Sequence, residues 1–76
     1  MVNMNNYFKN EGAMVAFALN ELEGKSKMKV LGVSYSTMAG KKRLKAWYED
    51  KKEALIQGGF ENELPKLDSY ARELGL

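Results

Sequence analysis

The sequence predicts a mainly α-helical fold, a compact single domain of three to four helices, and three observations support this prediction. Apolar residues recur at helical spacing in three stretches, and glycines or a proline stand where those stretches begin or end. The 76 residues are 45% hydrophobic and 29% charged, which suits one small globular domain over residues 1–76. A domain of this size buries only about 60% of the surface that its unfolded chain exposes, so burial in a dimer would add stability.

The first predicted helix covers about residues 11–23. Its apolar face is formed by Phe8, Val15, Leu19 and Leu22. The residues that could accept hydrogen bonds from the free N–H groups at its start are Asn5, Asn6 and Asn10. Gly12 makes this start uncertain, since a break there would leave a short turn over residues 5–10 before the main helix. Gly24 stands where a left-handed residue would end the helix.

The second predicted helix covers about residues 40–57 and ends at the pair Gly58-Gly59. Its apolar side is formed by Leu44, Trp47, Tyr48, Ala54 and Leu55. The third carries apolar residues at alternating steps of four and three, namely Phe60, Leu64, Leu67, Ala71 and Leu74. Pro65 fits only the first turn of this helix, where no N–H is needed, and Gly75 can cap its far end.

Residues 25–39 fit two structures. As a helix, Met28 and Leu31 lie one turn apart on a short segment bounded by Gly24 and Gly32. As a short strand at about 28–36, the side chains alternate between two faces, with Met28 and Val30 on one side and Leu31, Val33 and Tyr35 on the other. A lone strand needs a partner, so the second structure predicts a homodimer that pairs through strand edges.

Composition excludes several kinds of site. The chain has no cysteine and no histidine, so it lacks thiolate chemistry, the commonest transition-metal ligand and the usual general base. The spacing between Gly32 and Gly40-Lys41 does not match a phosphate-binding loop, and the carboxylates do not form a calcium loop. We therefore predict no enzyme activity, cofactor or metal site. No apolar run approaches the roughly 20 residues that span a bilayer, and no signal-peptide pattern is present, so we predict a cytoplasmic protein without membrane contact.

Charge is segregated along the chain. Nine of the twelve basic residues lie within 25–52, opposed only by Glu49 and Asp50, so this stretch carries +7 (nine minus two) and the remainder −5 (three minus eight). A field of one sign steers oppositely charged partners. The lysines after Gly40 could instead form a solvated helix face, with weak pairs between Lys45 and Glu49 and between Glu49 and Lys52. Because the lysines within residues 25–29 extend the positive charge onto a separate segment, we favour a contact surface over a solvated helix face.

The stretch Leu31-Gly32-Val33-Ser34-Tyr35-Ser36-Thr37-Met38 resembles the turn and recognition-helix start of helix-turn-helix DNA-binding domains. The resemblance implies that Gly32 makes the turn and that Val33 anchors it. It implies contacts with base edges or phosphates for Ser34, Tyr35, Ser36 and Thr37. It implies phosphate contacts for Lys41, Lys42, Arg43 and Lys45. The chain departs from the pattern at two places. In the preceding helix it has Lys27 or Met28 where the family packs a small apolar residue, and one turn after Met38 it has Lys41 where the family has an apolar residue. Gly40 also interrupts the recognition helix.

The leading interpretation is a small DNA-binding transcriptional regulator of helix-turn-helix type that acts as a homodimer. The alternative is a protein-interaction module, an inhibitor or adaptor of the kind that phages and mobile elements often encode, which docks on an acidic protein surface. A third interpretation is a subunit of an assembly that makes contact through the apolar faces of its first and last helices. Trp47 and Tyr48 could stack on bases, but their spacing with Leu44 and Leu55 favours a place in the core.

Overall fold

The computed structural model describes residues 10–76, which form five α-helices and no strand. The helices are α1 (Glu11–Glu21), α2 (Gly24–Leu31), α3 (Tyr35–Met38), α4 (Lys41–Gly58) and α5 (Leu64–Glu73), and a 3-10 turn covers Glu61–Glu63. The prediction of a mainly α-helical domain is confirmed. α4 is the longest helix, and α1, α3 and α5 all pack against it.

The start of α1 is fixed by Asn10. Its side-chain oxygen accepts a hydrogen bond from the N–H of Ala13 at 2.8 Å, so Asn10 is the cap among the three predicted candidates. Asn5, Asn6 and Phe8 lie outside the described residues. Gly12 lies buried in the first turn of α1, which begins at Glu11, the start expected for the main helix. Its lack of a Cβ lets α1 approach the backbone of α4, where an added Cβ would stand 2.3 Å from the carbonyl oxygen of Ala54.

The ambiguous residues 25–39 are helical, and the predicted strand at 28–36 is wrong. Leu31 ends α2 with its side chain fully buried, which a helix achieves by turning one face to the core. Gly32 then takes a left-handed conformation, with φ at +73°, and the N–H of Val33 donates to the carbonyl of Met28 at 2.9 Å. The homodimer predicted from strand pairing therefore has no strand to use within residues 10–76.

The later helices end where the sequence predicts. Gly59 follows α4 with φ at +85°, and the N–H of Phe60 donates to the carbonyl of Leu55 at 2.8 Å. Pro65 lies in the first turn of α5. The hydroxyl of Tyr48 on α4 donates to Asp68 on α5, and this bond, with burial and the nearby negative charge, raises the pKa of Tyr48 to about 12. The bond therefore ties α5 to α4.

The core lies where these helices meet. Its fully buried larger side chains are Val15, Leu31, Leu55 and Leu67. Trp47 is also buried and contacts the ring of Tyr70 edge to face at 6.1 Å between centroids, so its predicted place in the core is confirmed. Its Nε1 donates to the carbonyl oxygen of Leu31 at 2.8 Å, which joins α4 to the end of α2 just before Gly32.

We expect Trp47→Phe to lower the free energy of unfolding by about 1–3 kcal/mol, because the Leu31 carbonyl loses a buried donor. Chemical denaturation followed by circular dichroism measures this loss. The control is Tyr35→Phe, which removes a hydroxyl from a ring that is 90% exposed and should leave stability unchanged. An unchanged midpoint for Trp47→Phe would show that water satisfies the carbonyl and that the bond does not hold α2 in place.

Candidate nucleic-acid interface

The turn after α2 sets the position of the candidate site. Val33 follows Gly32 and is only 8% exposed, so its side chain holds the turn against the core. Ser34 comes next and caps α3, with its Oγ accepting from the N–H of Thr37 at 3.3 Å. Gly32 therefore makes a left-handed turn and Val33 anchors it, while Ser34 serves as a helix cap, a role not predicted for it.

α3 presents hydroxyl groups and one aromatic ring to solvent. The Oγ atoms of Ser34 and Ser36 lie 2.9 Å apart, and the Oγ of Ser34 lies 3.1 Å from the Oγ1 of Thr37. Tyr35 is 90% exposed. α3 has only four residues and ends at Met38, since Ala39 and Gly40 separate it from α4. The interruption predicted at Gly40 is therefore present, and no long recognition helix forms in this part of the chain.

The first turn of α4 carries the basic residues next to α3. Leu44 is 2% exposed and anchors this end of α4 in the core, while Lys41, Lys42, Arg43 and Lys45 are all exposed. Ser36, Lys42 and Arg43 line the same shallow depression of about 240 Å³, together with Ala39 and Gly40. The fold thus brings Ser36 of α3 and two cations of α4, Lys42 and Arg43, to one surface depression. We call the eight predicted site residues, Ser34, Tyr35, Ser36, Thr37, Lys41, Lys42, Arg43 and Lys45, the basic corner.

The cations of the basic corner are not neutralised by carboxylates within residues 10–76. The ion pairs in this part of the chain join Lys51 to Glu11 and to Asp50, each at 3.1 Å, and Lys66 to Glu63 at 3.2 Å. The pairs that the sequence suggests between Lys45 and Glu49 and between Glu49 and Lys52 do not form here. Burial lowers the pKa of Lys51, but its hydrogen bonds to Asp50 and Glu11 outweigh this effect and leave the pKa raised.

Other basic residues of the stretch 25–52 are used elsewhere. The ammonium of Lys27 lies 5.3 Å from the ring centroid of Tyr70 on α5, beside a cleft of about 390 Å³ that Glu23 and Glu73 also line. The ammonium of Lys52 lies 6.0 Å from the ring centroid of Tyr48. Lys51 is ion-paired, as described above. Three of the nine basic residues are therefore engaged away from the basic corner, and two more, Lys25 and Lys29, are exposed on α2.

Two kinds of feature are absent from the part of the chain that the structure describes. Within residues 10–76, no group of three or more acidic side chains is placed to hold a metal ion. In the same part of the chain, no helix combines the length and apolar character that crossing a membrane requires. Searches against protein-family models, curated proteins and solved structures find no match to this chain.

Proposed function

We propose that this chain is a non-enzymatic DNA-binding protein and that the basic corner is its contact surface. The observation that carries the proposal is the set of exposed cations at the start of α4, none of which is paired with a carboxylate in residues 10–76. DNA presents closely spaced phosphates along its backbone. Lys and Arg side chains that neutralise phosphates release counterions and so provide affinity.

The location of these cations supports a binding role over a passive solvated face. A helix carries partial positive charge at its N-terminus, so cations in its first turn are unfavourable by about 0.3–1 kcal/mol each at low salt. The first turn of α4 contains no acidic residue, and Gly40 provides no side-chain cap. Lys45 adds like-charge repulsion with Lys41 one turn away. These cations lower the stability of the free protein. A bound phosphate would offset their repulsion, which gives a reason for their position.

The turn that precedes α3 supports the same proposal. Gly32 is left-handed, Val33 is buried and Ser34 caps α3, which is compatible with the turn and the anchor that the helix-turn-helix resemblance implies for Gly32 and Val33. Ser34 and Ser36 are exposed, Ser36 lines a depression with Lys42 and Arg43, and these hydroxyls can donate to phosphates or base edges. Under this proposal the protein is a cytoplasmic transcriptional regulator, and a homodimer would double its contacts with DNA. Light scattering after size-exclusion chromatography tests the dimer.

We expect the protein to bind mixed-sequence DNA with a steep dependence on salt. Four phosphate contacts predict a slope of about −3 to −4 in a plot of log affinity against log salt. Fluorescence anisotropy with labelled DNA, measured from about 50 mM salt upward, gives this slope. Absence of binding at the lowest salt would remove the proposal.

The protein-interaction module remains the second candidate, and one observation favours it. Met38 is 46% exposed and Tyr35 is 90% exposed, so α3 also exposes apolar surface. A surface of this kind also suits an acidic protein partner. DNA affinity distinguishes the two candidates, because an interaction module has none. Changing Lys41, Lys42 and Arg43 to Glu would still abolish binding of its protein partner.

A further inference from the structure

Tyr35 is the feature of the basic corner that phosphate binding alone does not explain. It is 90% exposed, whereas the other large exposed hydrophobic side chains within residues 10–76 lie between 39% and 46%. Its backbone is held in the first turn of α3 by the Ser34 cap and by a hydrogen bond from the N–H of Ala39 to the Tyr35 carbonyl at 2.9 Å. The ring of Tyr35 is therefore exposed to solvent while its backbone is held by hydrogen bonds.

The shortness of α3 limits how it could read a duplex. Four residues at 1.5 Å per residue give a helix of about 6 Å, roughly one turn. A recognition helix that lies in a major groove contacts bases from several successive turns of its exposed face. Here the chain breaks at Gly40 and restarts as α4, whose next buried residue is Leu44. α3 therefore offers one ring and a few hydroxyls in place of an extended reading face.

We propose that the basic corner binds single-stranded nucleic acid, with Tyr35 stacking on one unpaired base while Lys42 and Arg43 contact neighbouring phosphates. This inference rests on the proposed function and specifies its ligand. Every base has a π face, so an exposed ring beside cations is the arrangement that binds unpaired strands with little sequence preference. The link between the two parts is Ser36, which follows Tyr35 in the chain and lines the depression formed with Lys42 and Arg43, so the ring and these cations belong to neighbouring segments.

The experiment compares three labelled probes by fluorescence anisotropy at low salt: a short oligothymidylate, an oligouridylate of equal length and a mixed-sequence duplex. Tyr35→Ala and Tyr35→Leu remove the aromatic ring, and Tyr35→Phe keeps it. We expect the first two variants to lose roughly 10- to 100-fold in affinity for the single strands, and Tyr35→Phe to retain it. Tighter binding of either single strand than of the duplex supports the proposal, and comparison of the two strands shows which sugar is preferred.

The outcomes separate this inference from the proposed function. Wild-type binding that is tightest for the duplex, or that Tyr35→Ala leaves unchanged while Lys42→Glu with Arg43→Glu abolishes it, would overturn the stacking role and leave DNA binding in place. No binding to any probe would remove both. Because Tyr35 is 90% exposed, its variants should keep the wild-type thermal unfolding midpoint, which circular dichroism verifies before each titration.

Discussion

Reversing two charges at the start of α4, Lys42→Glu together with Arg43→Glu, is expected to abolish nucleic-acid binding without lowering the stability of the fold. Each substitution removes a cation that would neutralise a phosphate and adds a repelling carboxylate, so affinity should fall roughly 100-fold or more at about 50 mM salt. The slope of log affinity against log salt should decrease in magnitude by about 0.7–0.9 for each phosphate that the variant no longer neutralises.

The effect on stability should have the opposite sign. A carboxylate in the first turn of a helix interacts favourably with the helix dipole, whereas a cation does not. Both side chains are exposed, so the reversal breaks no packing, and neither forms an ion pair within residues 10–76. The free energy of unfolding at low salt should therefore stay equal or rise by up to about 1–2 kcal/mol. Urea unfolding of the variant beside the wild type measures this difference.

The matched control is Lys25→Glu with Lys29→Glu on α2. These lysines are exposed, belong to the same basic stretch and change the net charge by the same amount, but they lie outside the basic corner. We expect a modest loss of affinity from the weaker long-range field. An equal loss in the two double variants would mean that net charge, and not the basic corner, controls binding. A marked loss of stability in the α4 variant would mean that its cations serve the fold.

The long helices could be predicted from the sequence because their signals are local. The apolar periodicity of α4 and α5, the pair Gly58-Gly59 and Pro65 all act within a few residues of the boundary they define. The helix predicted over about residues 40–57 is found at Lys41–Gly58, and Pro65 lies in the first turn of α5 as predicted. Residues 25–39 could not be assigned in the same way. α2 has eight residues and one buried side chain, Leu31, too short a pattern to separate helical from extended periodicity.

The decisive interactions for α2 come from far along the chain. Trp47 lies sixteen residues after Leu31, yet its indole donates to the carbonyl at the end of α2. The candidate site shows the same limit. The sequence shows which residues are basic, but not that Lys27 lies over the ring of Tyr70 on α5 or that Lys51 pairs with Glu11 on α1. Long side chains find partners on distant elements, so the sequence predicts the charges of the surface better than their grouping.

Gly12 has a tertiary role that its local sequence does not reveal. Its low helix propensity leaves the start of α1 uncertain, whereas the structure shows that α1 and α4 approach more closely there than a side chain permits. The two helices meet there through glycines, Gly12 on α1 and Gly58 on α4. A Cβ added at Gly12 would stand 3.0 Å from the Cα of Gly58, and a Cβ added at Gly58 would stand 3.0 Å from the Cα of Gly12.

Gly12→Ala is therefore expected to destabilise the protein, although alanine is the better helix former by about 1 kcal/mol. The new methyl group would lie 2.3 Å from the carbonyl oxygen of Ala54, and this oxygen is backbone, so relief requires α1 to move away from α4. Overpacking of this kind commonly costs about 1–3 kcal/mol, and a rigid backbone contact should place Gly12→Ala at the upper end. A domain of this length has a total stability of only about 4–11 kcal/mol, so the loss should be large in thermal unfolding.

The control for this substitution is Gly40→Ala. Gly40 has an ordinary extended conformation, with φ at −156°, and a Cβ there meets no atom within 4 Å. Its replacement should cost less than about 1 kcal/mol, the difference between glycine and alanine as a helix N-cap. If Gly12→Ala raised the unfolding midpoint, helix propensity would outweigh the clash, and the close approach of α1 to α4 could not be a requirement of the fold. A large loss of stability in Gly12→Ala and a small one in Gly40→Ala would instead show that the fold requires the close contact between α1 and α4 at Gly12, because both variants add the same methyl group.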